Sequence, residues 1–307
     1  MRRLLILTGI VITLSLTTRI IYHHFEGQYQ MEVDSTFDYS QLTFSSDLNF
    51  CGEVVPLKNE KVYDQFYSIL KKIVRENRRS IQLHKRSYLW FTVIDPILER
   101  HEIPEDLKYL AIVESKFLEG SSHKGASGFW QFMPATAEHL GLTVNENIDE
   151  RLNVEKSTIA ACRYLKFLKK RTGSWTLAAA AFNIGPERLM RKLNEQNMES
   201  YYGLKLNRET ATYLFKVMAY KEMLEHPDKY GFRIKPGKVN YIPWKTGKWN
   251  CPVSLQDIAQ EVNVGTQEIK EYNPWIINED QFCVEDYVVL KLPKSPKKQL
   301  QLQEKSL

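Results

Sequence analysis

In Pro104-Glu105-Asp106-Leu107-Lys108-Tyr109-Leu110-Ala111-Ile112-Val113-Glu114-Ser115, a proline stands where a first helical turn accepts it and apolar residues recur at helical spacing. Leu107, Leu110, Ala111 and Glu114 fall at i, i+3, i+4 and i+7, so one helix face carries three apolar side chains and a carboxylate. Desolvation on such a face favours the protonated acid, the form that can donate a proton near neutral pH. The same pattern also describes a structural Glu paired with Arg or with backbone groups, and the face alone leaves both readings open.

The helical pattern extends to both sides. Upstream, Val62, Phe66, Ile69, Leu70 and Ile73 recur every three to four residues, as do Trp90, Ile94, Ile97 and Leu98. Downstream, helices are expected over 134–140 stopped by Gly141, over 154–171 stopped by Gly173, through the small residues 178–181, over 186–194, and over 208–225 stopped by His226-Pro227. No strand pattern interrupts them. After Gly231 the texture changes to Pro, Gly, Trp and β-branched residues. Val239-Asn240-Tyr241-Ile242 reads as a strand, Ser254 caps a helix over 255–262, Thr266 caps one over 267–272, and 287–292 is a second strand. The expected fold class is mainly α: an all-helical domain followed by a small α+β module.

Composition narrows the function classes. The 307 residues carry 42 Lys+Arg against 37 Asp+Glu, and 42 − 37 = +5 is a mild excess without a long basic block, so nucleic acid is not an expected partner. An anionic polymer or a membrane surface fits that charge better. With 43% apolar residues the chain is neither fibrous nor mainly disordered. Met1-Arg2-Arg3 precedes an apolar run over 4–16 that continues to Tyr22, close to the ~20 residues a membrane helix needs. An uncleaved anchor is the first expectation, a cleaved signal the second, and a buried N-terminal helix the third. Either of the first two exports the remainder to the periplasm or to the periplasmic face of the inner membrane. The expected organisation is a membrane segment over 1–22, a spacer over 23–58, the helical domain over 59–232, the small module over 233–293 and a disordered tail over 294–307.

Four cysteines (Cys51, Cys162, Cys251, Cys283) show no metal-site spacing, and neither a metal nor another cofactor is expected. Cys162 lies on an apolar helix face with Ile159 and Leu165, as a buried free thiol does. Cys251 and Cys283 bracket one late segment and could staple it.

Two further motifs carry polar side chains in apolar settings. Gly125-Ala126-Ser127-Gly128-Phe129-Trp130-Gln131-Phe132-Met133-Pro134 allows a tight turn and offers the amide of Gln131, and such a loop can line a sugar cleft. Ala180-Ala181-Phe182-Asn183-Ile184-Gly185-Pro186 sets Asn183 at the join of two helices. Each alone is weak, since a Gly-rich loop is usually a turn and Asn before Gly a helix end.

In order, Glu114-Ser115, Gly125 to Pro134, Ala181-Phe182-Asn183-Ile184-Gly185 and Glu209-Thr210-Ala211-Thr212-Tyr213 resemble the four motifs of the lytic murein transglycosylases with the soluble-lytic-transglycosylase domain, particularly the membrane-bound type D group. Residues 149–158 are similar to the segment this group carries between its second and third motifs, and the resemblance covers roughly 85–232. It implies a lysozyme-like, all-helical domain acting on peptidoglycan glycan strands, at the β-1,4 bond between N-acetylmuramic acid and N-acetylglucosamine. Glu114 matches the sole catalytic acid. Ser127 and Gln131 match positions that touch the catalytic carboxyl or the sugar, Asn183 a sugar or oxocarbenium contact, and Glu209 and Tyr213 the far side of the cleft. Phe182 stands where the family usually has Tyr, so a phenolic hydroxyl is missing and Tyr213 becomes the candidate donor.

The implied mechanism needs one carboxylate where ordinary glycosidases use two, because the muramoyl C6 hydroxyl attacks in place of water and leaves a 1,6-anhydromuramoyl end. The competing readings are a goose-type lysozyme-like hydrolase on the same fold and a catalytically weak wall-binding protein. Asp149, Glu150 and Glu155 read as a solvated or ion-paired surface run. Residues 254–293 are similar to a LysM glycan-binding module, with Lys248-Trp249-Asn250-Cys251-Pro252 in place of its usual first strand and turn; glycan binding and a degenerate structural cap are both open.

Overall fold

The computed structural model describes residues 30–34, 36–38, 40, 42–235, 244–283 and 285–293. The N-terminal apolar run, the 239–242 strand and the C-terminal tail expected from the sequence lie outside them. Among the described residues no helix is long and apolar enough to cross a membrane.

The larger unit is helical. Its elements are α1 (Glu60–Arg75), α2 (Asn77–Arg100), a 3-10 turn at Glu105–Leu107 leading into α3 (Lys108–Ser115), α4 (Pro134–His139), α5 (Val154–Thr172), α6 (Trp175–Ile184), α7 (Pro186–Gln196) and α8 (Arg208–Glu225). The helix ends follow local chemistry. Asn59, Asn153, Ser174 and Asn207 each accept a backbone N–H of the first turn that follows, satisfying donors with no intrahelical partner. Gly173, at φ +84°, closes α5 in the left-handed region. The tetra-alanine stretch Ala178 to Ala181 is wholly buried, and its small side chains let α6 pack closely between α5 and α8.

The segment expected as a spacer over 23–58 is, in its described part, built into this unit. Leu42, Leu48, Phe50 and Val55 are buried in the same core as Phe66, Leu110 and Met218. β1 (Gln30–Val33) pairs antiparallel with β4 (Phe232–Lys235), and β2 (Asn49–Phe50) forms a hairpin with β3 (Glu53–Val54). Glu53 receives the N–H groups of Trp175 at 2.5 Å and Thr176 at 2.9 Å, placing a carboxylate at the N-terminus of α6, where the helix dipole favours it. Non-periodic apolar residues among Ser, Asp and Gln gave no helical signal, but they bury all the same.

The smaller unit runs β5 (Trp244–Asn250), α9 (Leu255–Val262), α10 (Thr266–Tyr272) and β6 (Tyr287–Pro293), with the two strands antiparallel. Lys248, Trp249 and Asn250, read from the sequence as replacing a strand, end β5 instead. Their register opposite Val289, Val288 and Tyr287 places them in a ladder that no local pattern announced. Ser254 caps α9 by accepting the Asp257 N–H, whereas Thr266 is the first residue of α10 and Gly265 occupies its cap. Cys251 and Cys283 are disulfide-bonded, and Cys162 is a buried free thiol.

This unit sits on the helical one through residues 147–155. Ile148 is buried among Leu255, Ile258 and Ile276. Asp149 N–H donates to Trp275 O at 2.9 Å, Ile277 N–H to Asn147 O at 2.9 Å, and Lys291 pairs with Glu155.

Candidate active site

Glu114 is the penultimate residue of α3, after which the chain reverses through two non-glycine residues in the left-handed region, Lys116 at φ +55° and Phe117 at φ +54°. A buried bulky residue there is held against its own preference by tertiary packing. Phe117 is packed edge-on against Phe91 and Phe129. The reversal leaves Glu114 half-buried, while Leu107, Leu110 and Ala111 on the same face are fully buried.

The Tyr213 hydroxyl donates to Glu114 Oε1 at 2.6 Å. Burial pushes the Glu114 carboxyl up from the ordinary carboxylate range to about 7; the Tyr213 bond and the Lys216 charge pull it down, and the Glu209 charge pushes it up. Burial and the neighbouring carboxylate hold the Tyr213 phenol well above its ordinary value, so it stays a donor throughout the neutral range. The structural reading of Glu114 required an Arg or backbone partner; its partner is a phenol, and its pKa is poised for proton transfer.

Residues 120–133 form the loop beside it. Ser115 Oγ lies 3.0 Å from the Phe129 carbonyl, so the residue next to Glu114 is tied to the loop. Ser127 is buried and its Oγ accepts from Ser121 Oγ at 3.1 Å. Gln131, at φ +49°, donates its amide to Gly128 O at 2.8 Å and Gly120 O at 3.2 Å. Both polar groups, implied by resemblance to meet the carboxyl or the sugar, hold the loop's own shape here.

Gly128 is required on two counts. Its φ is +75°, and a Cβ there would stand 2.0 Å from the Arg151 carbonyl oxygen. Arg151 itself donates Nη1 to Gly125 O at 2.7 Å and Phe132 O at 3.0 Å while its Nη2 pairs with Asp149 at 2.8 Å. The 149–155 run is therefore ion-paired as expected, but it is not a surface run. Glu150 is buried, accepts the Thr143 N–H at 2.8 Å and pairs with Lys156. A sequence of alternating charges does not show that Arg151 is held by the carbonyls of Gly125 and Phe132, or that Glu155 pairs with Lys291 of the smaller unit.

Asn183, at the end of α6, has its Oδ1 buried without a hydrogen-bond partner among the described residues. A bare buried acceptor costs ~1–3 kcal/mol, a cost sensible in a group kept for a ligand donor. Phe182 is half-buried, its ring 5.6 Å from Tyr164 and 5.8 Å from Phe132, so apolar packing replaces any hydroxyl contact. Glu209 is exposed in the first turn of α8 and lines a cleft of about 780 Å³ between α1, the end of α3 and α8.

Sequence reasoning missed Lys216, although it follows Glu209 and Tyr213 at i+7 and i+3 on one face of α8 and helical spacing could have found it. It also missed Arg151, whose contacts span 19 and 26 residues and leave no local signal.

An all-helical domain that holds one protonatable carboxyl at a helix end, beside an open cleft, is equipped for acid-catalysed cleavage of a glycosidic bond. Residues 94–204 match the family model described as the transglycosylase SLT domain. The chain is 28% identical over 222 residues to the membrane-bound lytic murein transglycosylase D of Escherichia coli (strain K12), and equally to that of E. coli O6:H1, covering 70% of this chain and 48% of each relative. It thus spans about half the length of the curated relatives it matches. A crystal structure of the 70 kDa soluble lytic transglycosylase from E. coli aligns with 60% of this chain and 32% of its own, at 22% identity and a TM-score of 0.41. The chain's resemblance to the lytic murein transglycosylases, read first from its motifs, stands.

Proposed function

We propose that this chain is a peptidoglycan lytic transglycosylase that cleaves the β-1,4 bond between N-acetylmuramic acid and N-acetylglucosamine, with Glu114 as the single acid and then base. The observation that carries the reading is Glu114 itself, desolvated to a pKa of about 7 and held by the Tyr213 hydroxyl. At neutral pH a group so poised exists in both forms and serves both half-reactions.

Protonated Glu114 donates to the glycosidic oxygen as the bond to C1 breaks. The oxocarbenium-like carbon is then attacked by the muramoyl C6 hydroxyl, whose proton returns to Glu114. No water enters, and the product ends in 1,6-anhydromuramic acid. Tyr213 tracks the carboxyl through both states, and the unpartnered Asn183 Oδ1 is the protein acceptor available to a sugar N–H or hydroxyl. The N-terminal apolar run and the names of the relatives support an exported, membrane-tethered enzyme.

Glu209 favours a second reading, because a neighbouring carboxylate that acts on Glu114 is what a two-carboxylate hydrolase needs. Digestion of purified sacculi in oxygen-18 water separates the two. Transglycosylation gives unlabelled anhydro ends ~20 Da lighter than the labelled hydrolysed ends, since one oxygen-18 water is absent. Labelled reducing ends as the main product establish the hydrolase.

A further inference from the structure

The cleft between α1, the end of α3 and α8 is lined by Lys72, Lys116, Arg208 and Lys216 against Glu76 and Glu209, four cations to two carboxylates. Val113 and Lys116 on its wall flank Glu114 in sequence, and Glu209 and Lys216 both act on the Glu114 charge, so the cleft opens beside the reacting carboxyl. Lys72 and Arg208 are exposed and make no ion pair among the described residues. Lys71 and Arg75 continue the basic wall along α1 into a neighbouring hollow of about 500 Å³. Lys72 on α1 and Arg208 and Lys216 on α8 lie outside the 94–204 segment that matches the family model, and Lys116, just past the end of α3, lies within it. An excess of cations in a concave surface, with Lys72 and Arg208 in no ion pair among the described residues, focuses an attractive field on anions and places them beside the site.

We infer that this cationic wall is a specificity subsite for carboxylate-bearing peptide substituents on the glycan strand, so that the enzyme selects peptide-bearing strands over bare ones. The inference rests on the proposed function above and adds its substrate preference. A cleft of 780 Å³ exceeds what one sugar carboxylate needs and has room for a short acidic peptide hanging from the strand. The cations reach from Lys216, whose charge acts on Glu114, out to Lys72 on a separate helix. A substituent extending away from the glycan can follow that course.

The test uses the full chain and three soluble substrates: peptide-bearing strands, the same strands with their carboxylates amidated by carbodiimide and ammonia, and strands stripped of peptides by an amidase, which keep only the lactyl carboxylate. The wild-type chain should favour peptide-bearing over amidated strands by about tenfold in kcat/KM, chiefly through KM. In Lys72→Gln/Arg208→Gln that preference should fall below about threefold, while Lys72→Arg/Arg208→Lys should restore it and Lys192→Gln, on the exposed face of α7, should keep it. Circular dichroism of each variant separates a lost preference from a lost fold. Stripped strands should behave like amidated ones; stripped strands as good as peptide-bearing ones overturn the peptide as the source of the charge. An undiminished preference in the double variant, or none in the wild type, overturns the subsite. Loss of anhydro ends with every substrate instead removes the proposed function.

Discussion

Replacing Tyr213 with Phe removes one oxygen, the one whose hydroxyl donates to Glu114 Oε1 at 2.6 Å. That bond favours the carboxylate over the acid, so its loss raises the Glu114 pKa above its present value of about 7. A hydrogen bond to a charged group contributes ~1.5–3 kcal/mol, and at 1.36 kcal/mol per pH unit this is a rise of ~1–2 units. Cleavage needs the acid form, so the alkaline limb of kcat/KM should move from near pH 7 to about 8–9 in Tyr213→Phe. The acid limb and the maximal rate should change less, because the ring is buried and Phe keeps its packing. Turnover of soluble glycan strands from pH 4 to 10 gives the profile. A carbon-13 titration of the Glu114 carboxyl measures the same shift without turnover. An alkaline limb that stays put or moves down refutes the assignment of Tyr213 as the group that tunes Glu114.

Glu114→Gln should lower turnover by about 10²–10⁴-fold and stabilise the fold at high pH. The folded pKa of about 7 exceeds the unfolded 4.5, so this group's stability contribution is full below 4.5 and lost as pH rises through 7. The loss is at most about 3 kcal/mol, and urea unfolding should find the Gln variant more stable at pH 8 and nearly equal to the parent at pH 4. Gly128→Ala should destabilise by about 2–4 kcal/mol through its positive φ and its collision with the Arg151 carbonyl. Gly125→Ala, at φ +85° with open space around it, should cost about 1–2 kcal/mol, and equal thermal shifts for the two would contradict the clamp. Glu150→Gln should cost about 1–3 kcal/mol in thermal unfolding by uncoupling Lys156 from a buried carboxyl; a surface residue would leave the midpoint unmoved.

The sequence by itself determined the mainly helical class, the bounds of α8 and nearly those of α5, and the candidacy of Glu114. Each is written in local spacing, in the Gly173 stop and in the His226-Pro227 break, whose energies act within a few residues. It also put Glu209 and Tyr213 on one helix, because i and i+4 always share a face. Only the tertiary structure decided that Tyr213 reaches across 99 residues to Glu114, that burial lifts that carboxyl to about 7, and that Lys72 on α1 faces the same cleft as Lys216 on α8. It also turned the expected spacer into core, through Phe50 and Val55, and the expected surface run into a buried clamp, through Glu150 and Arg151. Helical period and capping are short-range properties of the chain, whereas desolvation and counter-charges depend on which distant segments close over a group, and no local pattern encodes that.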